Sequence, residues 1–249
     1  MDKKSVIAVC GKGGVGKTVV SALLSRALSD AGAYPLLLID ADPAGGLASA
    51  IGERSFQTMA SVRDRLIASA KSGKKSDTAA ICDQVDYLVF ETLLEREKYS
   101  LLAMGHSAEK GCFCPANNLL RGAIDLISAS FIVTLIDAEA GIEQIKRDVT
   151  KSVNRILVVV DGSQRSIATL RLIADLVDGE QVCAIGNRIE ADEIDSVIEG
   201  IQIIGTIPQD QTVLAYDRKG RSLWELPAEN EALNKAKRIA GALFGATVK

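Results

Sequence analysis

The sequence predicts an α/β fold, a mostly parallel twisted sheet with helices on both faces. Three observations point there. Short β-branched or leucine-rich runs recur along the 249 residues, each followed by a stretch of helical periodicity. Most runs are apolar throughout instead of alternating, as strands covered on both faces must be. The first run leads directly into glycines and then a helical pattern, the layout of a strand–loop–helix unit.

Val6–Cys10 is the first strand, and Thr18–Asp30 the first helix, with Gly32 placed beyond its end as a C-cap. Pro35–Asp40 follows as a strand and Ala60–Ala70 as a helix. Residues 71–98 break the rhythm: Lys71-Ser72-Gly73-Lys74-Lys75-Ser76 is a basic loop, and the stretch through Leu88-Val89-Phe90 reads as helix or irregular excursion. Strands are then expected at Ser100–Met104, Phe131–Asp137, Arg155–Val160, Val182–Gly186 and Ile201–Gly205. Helices are expected at Ala116–Ser128, Ile142–Ser152, Ile167–Val177, Ala191–Glu199 and Asn230–Leu243. No linker tract and no internal repeat divides the chain, so one domain over residues 1–249 is expected. The alternation implies right-handed crossovers.

A formal charge of −3 does not advertise a nucleic-acid or anionic-membrane surface, so neither partner is expected. The start lacks a secretory apolar stretch, and no run approaches the ~20 apolar residues of a membrane span. Five cysteines, an odd number, fit a reducing compartment better than a disulfide framework. A cytoplasmic protein is expected.

After the first strand comes Gly11-x-x-x-x-Gly16-Lys17-Thr18, the P-loop pattern in its strand–loop–helix context. Glycines let such a loop wrap with its N–H groups inward, and the helix N-terminus adds partial positive charge. Gly11-x-Gly13-x-x-Gly16 also fits a dinucleotide fingerprint, with Asp40 where a ribose-binding acid belongs. Lys17-Thr18 decides, because a dinucleotide turn has no use for that pair. ATP is therefore expected on Gly11, Lys12, Gly13, Gly14, Val15, Gly16, Lys17, Thr18 and Val19. Lys17 should neutralise the β and γ phosphates, and the Thr18 hydroxyl should ligate Mg²⁺.

Acids end two of the strands. Asp40-Ala41-Asp42-Pro43 follows the second, and carboxyl ends of parallel strands face the ligand crevice. Phe131–Asp137 is an apolar strand ending in an acid, the Walker B form, so Asp137 should hold Mg²⁺ through water. Ala138-Glu139-Ala140-Gly141 would follow as switch II. Later, Asn187-Arg188 ends a strand and Ile207-Pro208-Gln209-Asp210 follows the last one.

Cys112-Phe113-Cys114 is the other constellation. Two thiols so spaced supply half of a tetrahedral thiolate site. No second pair exists, and His106 is not arranged with another ligand, but a two-fold dimer would bring four sulfurs together. Two small buried side chains or a vicinal redox pair fit the same residues. Cys10, Cys82 and Cys183 sit in apolar runs and read as core.

Lys12-Gly-Gly-x-Gly-Lys17-Thr18 resembles the deviant Walker A motif of the MinD/ParA/ArsA/nitrogenase-iron-protein class. That resemblance implies an ATP-dependent homodimer in which Lys12 reaches the partner's nucleotide. It also implies that Asp42 positions the attacking water, that Asp40 joins the Mg²⁺ water shell, and that Asn187, Arg188 and Pro208 contact adenine. Within the class, Leu102-Ala103-Met104-Gly105, Gly111-Cys112-Phe113-Cys114-Pro115-Ala116-Asn117-Asn118 and Asp137-Ala138-Glu139-Ala140-Gly141-Ile142-Glu143, in order, are similar to CooC-type nickel-insertion ATPases. Those mature the nickel–iron–sulfur cluster of carbon monoxide dehydrogenase. The similarity runs from Val6 to about Leu223. It implies that the chain is a metallochaperone ATPase with carbon monoxide dehydrogenase as client and Ni²⁺ or Zn²⁺ on Cys112 and Cys114 across a dimer. Gln144, His106 and Ser107 depart from the family pattern. Two other readings stay open: an iron–sulfur electron-transfer ATPase like the nitrogenase iron protein, whose two cysteines lie far apart, and a MinD/ParA-like positioning ATPase.

Overall fold

The computed structural model describes residues 4–62, 64, 65, 87, 89–106, 122, 125–138, 153–177, 182–195, 197, 198 and 200–244. In chain order these give β1 (Ser5–Cys10), α1 (Lys17–Asp30), β2 (Leu36–Asp40), α2 (Gly46–Ala50), β3 (Leu94–Glu95), β4 (Ser100–Ala103), β5 (Val133–Asp137) and β6 (Arg155–Val160). Then come α3 (Gln164–Leu176), β7 (Val182–Asn187), β8 (Val197–Ile198), β9 (Ile201–Ile207), α4 (Gln211–Arg218), a 3-10 turn at Leu223–Glu225, and α5 (Glu231–Phe244).

The strands form a nine-stranded sheet in the order β3-β4-β2-β5-β1-β6-β7-β9-β8. Neighbours from β4 to β9 run parallel, while the two-residue β3 and β8 lie antiparallel at the edges. From β1 the chain crosses to one side for β2 and β4, and later to the other for β6, β7 and β9. The carboxyl end of β1 is thus a topological switch point, where open α/β sheets bind ligands.

Strand periodicity explains why the runs are apolar without alternation. Ile7 and Val9 join Leu36, Leu38, Leu135 and Leu157 on one face, beneath α1 and α5. Their neighbours Ala8 and Cys10 turn the other way and join Val158, Val160 and Ala184 under Leu170 and Ile173 of α3. Val6, Leu37, Ile39 and Ile136 face Met59, Val62, Val89 and Ile127. Successive side chains point to opposite faces and both are buried, so every position must be apolar.

The expected strands are found, with ends moved by a residue or two. β9 runs on to Ile207, and β7 includes Asn187. The expected helix Ala191–Glu199 is corrected. Its described residues form turns and then β8, which pairs with β9 about Gly200 at φ 82°. That glycine favours a left-handed reversal that a helix does not use, and Glu190 N–H donates to Glu193 Oε2, 2.8 Å away, closing the preceding turn. α2, α4 and β3 were not expected. Residues 87 and 89–92 are helical, which resolves part of the ambiguous segment. Of Ala60–Ala70 and Ala116–Ser128, only 60–62, 64, 65, 122 and 125–128 are described, and these are helical. The expected helix Ile142–Ser152 lies outside the described residues.

β9 meets α5 closely. A Cβ on Gly205 would lie 2.6 Å from Ile239 Cγ1 and 3.1 Å from its Cδ1. The glycine lets a helix settle on the sheet at that point. Gly205→Ala should therefore cost about 1–3 kcal/mol through overpacking. Denaturant unfolding of Gly205→Ala, Ile239→Ala and the double variant should show a double cost clearly below the sum of the singles. Additive costs would contradict the contact.

Candidate nucleotide-binding site

The loop after β1 depends on its glycines. Gly11, Gly14 and Gly16 adopt φ of 141°, 84° and 89°, which side chains strongly disfavour. A Cβ on Gly11 would also sit 2.5 Å from the Val159 carbonyl oxygen of β6. α1 starts directly at Lys17, and its N-cap Gly16 offers no side chain, so the helix's first N–H groups are left for another acceptor. Among the described residues, no acceptor takes the N–H of Gly13, Gly14, Val15 or Gly16. Lys17 is largely buried, and its Nζ donates to the Lys12 carbonyl oxygen 3.3 Å away.

The acids expected at the strand ends converge. Asp40 and Asp137 are register partners across β2 and β5, and both are buried. Asp137 accepts hydrogen bonds of 2.8 Å from Thr18 Oγ1 and from Ser21 Oγ. These two hydroxyls are three residues apart and so share one face of α1. Asp40 accepts from the backbone N–H of Asp42 at 3.2 Å and of Ala48 at 2.8 Å. It therefore fixes the turn that carries Asp42 and seats α2. Asp42 Oδ1 accepts from Ala44 N at 2.8 Å. Its Oδ2 and the Thr18 hydroxyl both flank Gly46, where a Cβ would lie 3.3 Å from the one and 3.5 Å from the other. Ser21 was missed in the sequence, though its spacing from Thr18 was visible.

Burial dominates the electrostatics. It pushes Asp40 up to about 7, helped by repulsion from Asp137 and Asp42 and opposed by its two backbone hydrogen bonds. Asp137 is raised as well, first by burial, against the hydrogen bonds of Thr18 and Ser21 and the charge of Lys17. Burial also pushes the Cys10 thiol up to about 12, so it is inert core as expected.

The residues expected at the base gather on the other side of the loop. Val19, Asn187, Arg188, Pro208, Asp210 and Val213 help line a groove. Asp210 serves as N-cap of α4, accepting from Thr212 N at 2.7 Å and Val213 N at 3.0 Å. This Asp ahead of Gln211-Thr212-Val213-Leu214 was the overlooked signal for α4. Cys112, Cys114 and, of the expected switch II, Glu139 to Gly141 lie outside the described residues. Among the described residues, no three His, Cys, Asp or Glu side chains converge as a metal cage, and no helix is long and apolar enough to cross a membrane.

Comparison with known proteins agrees with this geometry. The sequence model of the CobQ/CobB/MinD/ParA nucleotide-binding domain matches residues 6–223. An ATP-binding protein of Methanocaldococcus jannaschii is 34% identical, the match covering 94% of this chain and 96% of that one. The carbon monoxide dehydrogenase accessory protein CooC of Rhodospirillum rubrum is 31% identical, covering 96% and 95%. The MinD cell division protein of Aquifex aeolicus superposes with a TM-score of 0.71 at 22% identity over 98% of both chains, a likeness of fold. With its glycine loop, strand-end acids and sequence matches in agreement, the chain belongs to the CobQ/CobB/MinD/ParA nucleotide-binding family, and it is an ATPase.

Proposed function

We propose that this ATPase is a metallochaperone that assists nickel insertion into the metal cluster of carbon monoxide dehydrogenase. The observation that carries the reading is Cys112-Phe113-Cys114 in a chain matching the accessory protein CooC almost end to end. One chain offers two thiolates. Two chains related by a two-fold axis offer four, enough to enclose Ni²⁺ or Zn²⁺ as cargo. ATP closes the homodimer, and hydrolysis releases the closure and the cargo.

Each part of the nucleotide site has a role in this reading. The loop from Gly11 to Thr18 cradles the phosphates, with Lys17 against the β and γ groups. Lys12 crosses to the partner's nucleotide. Val19, Asn187, Arg188 and Pro208 flank the base. Asp42 holds the attacking water, whose oxygen bonds the γ-phosphorus as the bond to the β–γ bridging oxygen breaks.

The acids fit Mg²⁺. Hard oxygens of Thr18, Asp40 and Asp137 lie together, and the two buried carboxylates resist ionising without added positive charge. When bound, the ion supplies that charge and polarises the γ-phosphoryl group. Phosphate oxygens and water complete such a site, so a cage of three side chains is not required.

A MinD-like positioning ATPase is the second reading, favoured by the shared fold. A membrane-docking role asks for a helix with a free apolar face. In α5 that face, with Leu233, Ala236, Ile239 and Leu243, is buried in the core with α1.

Three outcomes test these assignments. Anaerobic titration with Ni²⁺ followed by native mass measurement should give one metal per two chains, abolished in Cys112→Ser/Cys114→Ser; one metal per chain would sink the shared site. Lys17→Ala should lower ATP hydrolysis on the order of a thousand-fold, the scale of losing a preorganised charge at the transferring group. A rate equal to the parent's would refute the phosphate role. The third outcome concerns Asp40, whose carboxyl is raised from 3.8 to about 7 on folding. The folded chain holds that proton more tightly, so its stabilising contribution is complete at low pH and fades as pH rises from about 4 through about 7. Without nucleotide or Mg²⁺, the melting temperature of the parent relative to Asp40→Asn should fall across that window. A constant difference would contradict the assignment.

A further inference from the structure

A loop that cradles phosphate with its N–H groups must send its carbonyl oxygens elsewhere, and those oxygens need donors. Three side chains supply them here. Lys17 Nζ donates to the Lys12 oxygen at 3.3 Å, Asn187 Nδ2 to the Val15 oxygen at 2.7 Å, and Arg188 Nη1 to the Gly14 oxygen at 3.3 Å. Two of the three donors come from the end of β7, far from the loop in sequence. Asn187 is 3% exposed, so its amide and the Val15 carbonyl have little water to fall back on.

The backbone shows the same close approach. A Cβ on Gly16 would collide with Asn187 Nδ2, so Gly16 is needed partly to admit this amide. Arg188 takes φ of 61°, the one left-handed non-glycine residue among those described, while its N–H donates to the Ile207 oxygen at 2.7 Å. That conformation is costly for a residue with a Cβ. Here it puts consecutive residues, Asn187 and Arg188, onto consecutive loop carbonyls, those of Val15 and Gly14.

We propose that Asn187, assisted by Arg188, is a positioning residue for the phosphate loop: it turns the Val15 and Gly14 carbonyls outward and so presets the N–H cradle before nucleotide arrives. This role differs from reading the base: one amide N–H serves the loop, and the second N–H and Oδ1 are left for other partners. It rests on the phosphate-cradle reading of Gly11 to Thr18 and on nothing about the metal cargo. The two roles separate with ligands that lack one half of the nucleotide.

The test measures displacement of a fluorescent ATP analogue from the full-length chain by ATP, inorganic tripolyphosphate and adenosine. Asn187→Leu removes the donor while keeping the branched shape. It should weaken tripolyphosphate about ten-fold, as for one buried hydrogen bond, ATP by at least as much, and adenosine by clearly less. Arg188→Ala, on an exposed side chain with a longer bond, should act in the same direction by about two- to three-fold. An unchanged tripolyphosphate affinity in Asn187→Leu overturns the proposal, as does a loss confined to ATP and adenosine. An equal loss for all three ligands also overturns it, since that reports general damage. Lys17→Ala serves as control. If the parent chain itself ignores tripolyphosphate, the phosphate-cradle reading falls first and this inference with it.

Discussion

Two carboxylates buried side by side at the ends of β2 and β5 set the terms for everything around the site. Asp40 and Asp137 share a register position, and water is excluded from both. Isolated, such a pair is unfavourable. The fold offsets the cost with dedicated donors: the hydroxyls of Thr18 and Ser21 for Asp137, and the backbone of Asp42 and Ala48 for Asp40. These donors come from the first two turns of α1, from the turn at Asp42 and from α2. The carboxylates that destabilise the strand ends therefore also tie the start of α1, after the glycine loop, to the turn bearing Asp42.

That arrangement follows from topology. β5 lies between β1 and β2, so Val9 aligns with Asp137 and Asp137 with Asp40 along one row of the sheet. Parallel strands deliver all their carboxyl ends to one edge, and the crossover at β1 leaves the crevice open there. From the opposite side of the loop, the end of β7 supplies Asn187 and Arg188. The loop is held between two strand ends, one acidic and one amide-bearing. Its glycines are the residues that fit the space, as the approach of Val159 to Gly11 shows.

Much of this was legible in the sequence because the signals are local. Val6–Cys10 followed by the glycine loop and Lys17-Thr18 is a contiguous strand–loop–helix unit. Asp40 and Asp137 announce themselves as acids ending apolar runs. What failed was local in another way. Ala191–Glu199 has helical composition, yet tertiary pairing with β9 draws Val197–Ile198 into an edge strand. α2 begins at Gly46 after Gly45, residues that read as a turn; its seat is the carboxylate of Asp40, eight residues from Ala48, which no propensity encodes. Asn187 was legible as a site residue, but its grip on Val15, 172 residues away, belongs to the fold alone.

A role for the buried acid of β5 in coupling nucleotide at the glycine loop to a divalent cation is open to measurement. Calorimetric titration of ATP with and without Mg²⁺, on the parent and on Asp137→Asn, tests it most directly. Mg²⁺ should tighten ATP binding to the parent, and Asp137→Asn should bind ATP equally with or without the ion. A Mg²⁺ effect of the same size in both proteins would contradict it.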